Sequence, residues 1–302
     1  MNQNIDTTAL PRSKIEELKN MGYHYCSDVE ANLEDLRSVL NNDWEELAKV
    51  PKVENALEIF QKEVLSGCIL TYNKELDKIL QNVICPQTIT EFTGFSGSGK
   101  SQVCFQLCIS VQLPKWCGGF GGQALYISTN KNFNSSRLRE LAKNFLRDYN
   151  SLKVRTQKTE YNLTEESIMQ NIHYIDIISG EDLLSCILLL DNYLEGKNIR
   201  LIVIDSITQP LKTMEVSARF GLLNRFFQQL RILSNQFDLA IVLTNDLTVR
   251  FNEKDAIITP SFGDSFYHMV NSRILFSKNY SVFHAKLLKS LNNTQIEADF
   301  YL

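Results

Sequence analysis

Apolar positions along this chain follow two periodicities. In the first 50 residues they recur at helical spacing: Ile15, Leu18 and Met21 share one face, and Val29, Leu33, Leu36, Val39 and Leu40 share another. Ser27 and Asp28 stand where they can cap the second of these helices. The spacing predicts a small helical domain over residues 1–50. Residues 51–66, opened by Pro51, read as a linker or assembly segment in which Ala56, Ile59 and Phe60 offer apolar docking surface. Over residues 67–302 short apolar runs alternate with helical ones. Runs at 89–92, 124–127, 172–178, 201–204, 239–243 and 273–276 have the length and composition of buried strands. The alternation predicts an α/β fold with a mostly parallel sheet covered by helices, and a ligand at the carboxyl ends of the strands.

One junction between a strand-like and a helical run carries specific chemistry. Gly94, Phe95, Ser96, Gly97, Ser98, Gly99, Lys100 and Ser101 fit the phosphate-loop pattern G-x-x-x-x-G-K-[ST], with a strand-like run before them and a helical run from Gln102 after them. The glycines let successive backbone N–H groups converge on an anion, and the helix start adds its positive end. Lys100 supplies charge for the terminal phosphates, and the Ser101 hydroxyl is placed to ligate Mg2+. The segment Arg200-Leu-Ile-Val-Ile-Asp-Ser206 is a buried-strand pattern ending in Asp205, which delivers a carboxylate to the magnesium beside Ser101. ATP and Mg2+ are therefore the expected ligands.

Composition bounds the remaining possibilities. At 302 residues with 44% hydrophobic content, the chain can support one large core and one small one. No apolar run approaches the ~18 residues of a membrane span, and the polar start lacks a secretory pattern, so a cytosolic or nuclear location is expected. Seven cysteines in no C-x-x-C pair suit reduced thiols, with Cys104 and Cys108 as small buried apolar residues on one helix face. The four histidines show no ligand spacing. The net charge of −4 argues against coating nucleic acid by bulk charge. Residues 1–50 carry five basic and ten acidic side chains, so an acidic N-terminal piece precedes a nearly neutral core, and any DNA contact must come from local loops.

These residues together resemble the eukaryotic Rad-type recombinases of the RecA superfamily, and within them the C paralogues. The resemblance rests on Ala56-Leu-Glu-Ile-Phe-Gln-Lys-Glu63, Lys74-Glu-Leu-Asp-Lys-Ile-Leu80, Thr90-Glu-Phe-Thr-Gly-Phe-Ser-Gly-Ser-Gly-Lys-Ser-Gln-Val-Cys104 and Val111-Gln-Leu-Pro-Lys-Trp-Cys-Gly-Gly119. Arg200 to Ser206, Leu239-Ala-Ile-Val-Leu-Thr-Asn245, and Arg273 with Lys286 and Lys289 complete it. It implies a RecA-like P-loop core behind a small helical domain, a part in homologous recombination and DNA double-strand break repair in mitotic or meiotic cells, and a nuclear, also cytoplasmic, location. The implied role is support of recombinase assembly on single-stranded DNA. Implied partners are the main recombinase, other recombinase paralogues in a hetero-oligomer, and single-stranded or branched DNA bound weakly alone, with no membrane.

Carried over position by position, the resemblance exposes departures. The family's catalytic glutamate falls at Asn130, which cannot act as a general base, and the glutamine that senses the γ-phosphate falls at Asp246, which would repel it. Hydrolysis should be poor unless Glu91 or a partner's acid substitutes. Arg137 falls where the family stacks an arginine on adenine, or else is an ordinary helix-surface residue. The segments 209–220 and 247–262 fall at the two DNA-facing loops. They hold Lys212, Arg219, Arg250 and Lys254 for phosphates and Phe251 for stacking, diluted by Glu215, Glu253 and Asp255; solvated loops without a DNA role are the alternative. The inter-subunit Phe-x-x-Ala plug becomes Val53-Glu-Asn-Ala56, a smaller apolar anchor that favours a defined hetero-complex over a long self-filament. Leu80-Gln-Asn-Val83 replaces a glycine run. Two activities fit this pattern: a slow DNA-stimulated ATPase, or a nucleotide-clamped scaffold that does not hydrolyse. A small-molecule P-loop kinase is disfavoured by the late position of the loop and the absence of an Arg-rich lid.

Overall fold

A computed structural model describes residues 4–8, 10–40, 54–156, 163–251, 256–290 and 296–302. The chain divides into two compact units, Met1–Glu63 and Val64–Leu302. In the smaller unit, α1 (Arg12–Asn20), α2 (Cys26–Ala31) and α3 (Leu33–Leu40) close over Ile5, Leu10, Ile15, Leu18, Val29, Leu36 and Leu40. Met21 departs from the expected face: it lies just past the end of α1 and is half exposed. The expected cap also moves. Extended Tyr25, bridged to Asn4, takes the cap position without a side-chain bond and starts α2 at Cys26, which puts Ser27 and Asp28 inside the first turn. The side chains of Leu33 and Val39, and Val53 of the linker, lie outside the described residues. From Ala56 the expected linker is a helix, α4 (Ala56–Ser66), none of whose residues is buried.

The larger unit is built on an eight-stranded sheet in the order β10-β9-β8-β1-β5-β4-β2-β3. Its strands are β1 (Ile89–Gly94), β2 (Gln123–Ser128), β3 (Ile172–Asp176), β4 (Ile199–Asp205), β5 (Ala240–Asn245), β8 (Ser272–Asn279), β9 (Val282–Lys289) and β10 (Glu297–Phe300). Strands β8, β1, β5, β4, β2 and β3 run parallel, and β9 and β10 close one side antiparallel. The fold is thus α/β with a mostly parallel sheet, as expected. Side chains alternate between its faces with period two: Leu201 and Val203 enter one core, Ile202 and Ile204 the other, and the adjacent β5 splits Ala240 and Val242 from Ile241 and Leu243.

Helices cover both faces. One core takes residues of α5 (Lys74–Leu80), α6 (Lys100–Ser110), α7 (Ser135–Thr156) and α8 (Glu165–Gln170). The other takes residues of α9 (Gly180–Leu188), α10 (Leu190–Leu194), α11 (Thr208–Leu211), α12 (Val216–Phe237) and α13 (Gly263–Met269). Both expected DNA-facing loops are largely ordered elements. Residues 209–220 run from α11 into α12, and the β-branched stretches of 247–262 pair as a hairpin of β6 (Leu247–Phe251) and β7 (Ala256–Pro260).

Two further departures have local causes. Cys68 and Cys85 form a disulfide, contrary to the expected set of reduced thiols; 17 residues separate them, so spacing gave no sign of it, but a backbone bond from Ile69 to Ile84 brings the two segments together. Cys104 and Cys108 are free and fully buried, as expected. The missing glycine run after Leu80 is met by Asn82, which takes a left-handed φ of 61°, a conformation asparagine tolerates better than most residues.

Candidate functional site

At the carboxyl edge of the sheet, β1 ends in Gly94, β4 in Asp205 and β5 in Asn245, with β5 lying between β1 and β4. The turn from β1 to α6 is set by glycine. A Cβ at Gly94 would stand 2.3 Å from the Phe276 carbonyl oxygen and 2.7 Å from Ser98 Oγ, and Gly99 starts α6 with a φ of +94°. The loop wraps Lys100: its ammonium donates to the carbonyls of Gly94 (2.6 Å) and Phe95 (3.0 Å) and lies 3.4 Å from Asp246 Oδ1.

The next residue meets the end of β4. The Ser101 hydroxyl donates to Asp205 Oδ2 at 2.7 Å. Tyr126 donates to the same oxygen and Thr244 to Oδ1, each at 2.5 Å, so three hydroxyls hold one buried carboxylate. Burial, and secondarily Asp205, push the Tyr126 phenol well above its ordinary pKa, which keeps it a donor. Tyr126 and Thr244 went unrecognised in the sequence. Tyr126 is 79 residues from its partner and reads as a strand apolar position; Thr244 belongs to the quoted Thr-Asn pair, and its role shows only once β4 and β5 lie side by side.

Ser96, Gly97, Ser98, Gly99, Lys100, Ser101 and Gln102 line one cleft of about 500 Å³ with Asn130, Asn132, Asp205, Ser206, Gln209, Thr244, Asp246 and Phe283. Gly94 and Phe95 serve it through their carbonyls. Arg137 does not line it: its Nε donates to Gln102 Oε1 at 2.8 Å and its guanidinium pairs with Glu140 at 2.7 Å. Asn130 faces the cleft, and its Oδ1 accepts from the Asn132 N–H at 3.0 Å. Glu91, the alternative base, does not reach it. It is fully buried and bonds Arg273 (2.6 Å) and Asn245 (2.7 Å); burial pushes its carboxyl above the ordinary value against the pull of both partners.

The residues fit a phosphate ligand. Ser98 Oγ, in the middle of the Gly94–Ser101 loop, is buried with no hydrogen-bond partner. For a divalent cation, Ser101 and Asp205 offer two oxygen ligands suited to Mg2+. Among the described residues no group of three or more His, Cys, Asp and Glu side chains could hold a metal by itself.

Of the expected DNA contacts, Lys212 and Arg219 line a second cavity of about 420 Å³ that shares Asp246 with the cleft, and Arg219 lies 5.5 Å from the Phe262 ring. Arg250 sits on β6 with its side chain outside the described residues, where Phe251's also falls, and Lys254, Glu253 and Asp255 lie outside them altogether. Among the described residues no helix is long and apolar enough to cross a membrane.

Residues 61–301 match the family model for Rad51. The chain is 32% identical over 260 residues to DNA repair protein RAD51 homolog 3 of Cricetulus griseus, an alignment covering 83% of this chain and 71% of that protein. It is 31% identical over 218 residues to the RAD51 homolog 3 of Dictyostelium discoideum, covering 70% and 57%. It is 32% identical over 187 residues to the DNA repair and recombination protein RadA of Aeropyrum pernix, covering 60% and 54%.

Proposed function

Because this chain belongs to the Rad51 family, we propose that it is a nucleotide-binding recombinase paralogue of homologous recombination repair, most like the C paralogues. It supports assembly of a recombinase on single-stranded DNA, as one subunit of a nuclear hetero-complex, with bound nucleotide as a clamp more than a fuel. The observation that carries this reading is the bond between Ser101 and Asp205 in the cleft that also holds Lys100 and the unpartnered Ser98 hydroxyl.

Each group has a task. The loop from Gly94 to Ser101 and its lysine receive the phosphates, and Ser101 with Asp205 would hold Mg2+, which neutralises phosphate charge when bound. Among the described residues of the cleft no carboxylate stands free to activate water: Asp205 is held by three hydroxyls and Asp246 pairs with Lys100, while Glu91 is buried in an ion pair and Asn130 is neutral. Turnover is therefore slow, and the ligand stabilises the folded site by mass action without it. Lys212 and Arg219 contribute modest phosphate contacts to DNA.

The test is a loading assay: a Rad51-family recombinase on single-stranded DNA, with and without this chain and MgATP. More DNA-bound recombinase is expected with the wild type and not with Lys100→Ala. No effect of the wild type would overturn the assembly role.

A further inference from the structure

We infer that the cleft is first a nucleoside diphosphate site, which admits a triphosphate at a disadvantage that Asp246 sets. This rests on the nucleotide reading of the cleft and deepens it by naming the form of ligand retained.

The charges lining the cleft are unbalanced. Its lining includes one cation, Lys100, against Asp205 and Asp246. Both oxygens of Asp205 are occupied by the hydroxyls of Ser101, Tyr126 and Thr244, so its charge is spread into a fixed cage. Asp246 is different: its carboxylate is 43% exposed and pairs with the Lys100 ammonium at 3.4 Å. A phosphate-loop lysine marks where the β- and γ-phosphates sit. Asp246 therefore stands against the end of the ligand where a third phosphate adds its charge.

The backbone cannot carry this carboxylate away. The N–H of Asp246 donates to Thr208 Oγ1 at 2.9 Å, and its carbonyl accepts from Ser261 N–H at 2.9 Å. Thr208 in turn donates to Asn245 Oδ1 at 2.7 Å, and Asn245 donates to buried Glu91 at 2.7 Å. Only side-chain rotation is free, and it would break the pairing with Lys100. A diphosphate satisfies the loop and the lysine without meeting this second negative charge; a triphosphate meets it. Half exposure softens the repulsion, so the preference is moderate, about tenfold in affinity.

Calorimetric titration of the full chain with MgADP and with the non-hydrolysable triphosphate MgAMPPNP tests this, for the wild type and Asp246→Asn. The wild type should bind MgADP about tenfold more tightly. Asp246→Asn should bring the ratio close to one, because triphosphate affinity rises by more than diphosphate affinity does. Equal affinities in the wild type, or a ratio unmoved by the substitution, would overturn the inference while leaving nucleotide binding intact. Binding of neither ligand would overturn the nucleotide reading and this preference with it.

Discussion

The Ser101 hydroxyl donates a 2.7 Å hydrogen bond to Asp205, joining the first turn of α6 to the end of β4 across 104 residues. Two segments whose sequences separately suggest magnesium ligation thus meet at one point. Ser101→Ala should lower affinity for the magnesium nucleotide by about tenfold or more, while affinity in EDTA stays unchanged, because only the cation's ligand is removed. Equal losses with and without magnesium would show that the hydroxyl serves the phosphates or the fold instead.

Asn130 lines the cleft with a neutral amide whose oxygen accepts from Asn132. Asn130→Glu should raise steady-state ATP hydrolysis by about 10²-fold or more, with nucleotide affinity changed little, since a positioned base typically contributes 10²–10⁴-fold. A wild type that already hydrolyses as fast as Asn130→Glu would remove this residue from the explanation of slow turnover.

Much of this site was legible because its signals are local. The phosphate loop needs eight consecutive residues, and β4 announces itself as four apolar residues before an acid. The parts that were not legible depend on register and distance. Tyr126 reaches Asp205 because β2 pairs with β4, aligning Ser128 with Asp205; no single segment encodes that. Arg137 bonds Gln102, 35 residues away, a contact that no local pattern shows. The hairpin of β6 and β7 was hidden by its assignment to a loop, although Val249 pairs with Ile258 as β-branched residues do. The disulfide between Cys68 and Cys85 left no spacing pattern at all.

Glu91 and Arg273 form a buried ion pair at 2.6 Å, at 0% and 6% side-chain exposure. Arg273→Met leaves the acid without its cation and should cost about 3–5 kcal/mol in urea unfolding, and adding Glu91→Gln should restore part of the loss. A loss under about 1 kcal/mol for Arg273→Met would mean that the pair behaves like a surface one.

His173 lies between Tyr193, 2.9 Å from its Nδ1, and Gln123, 3.0 Å from its Nε2. Burial first, then the charge of Lys197, hold its pKa below the ordinary value. The folded state therefore favours the neutral ring. Stability is complete above the ordinary histidine pKa of about 6.5 and declines as pH falls below it, because the unfolded chain takes up the proton first. The urea midpoint should drop between pH about 7 and about 5.5, and His173→Gln should flatten that drop. An unchanged slope in the variant would assign the dependence to other groups.

The most direct test of the nucleotide cleft is fluorescence titration of the full chain and of Lys100→Ala with a fluorescent adenine nucleotide and Mg2+. Saturable binding by the wild type, weakened about tenfold or more in Lys100→Ala, is the predicted result. No saturable binding by the wild type at about 1 mM nucleotide, the limit of weak affinity, or equal binding by both proteins, would contradict it.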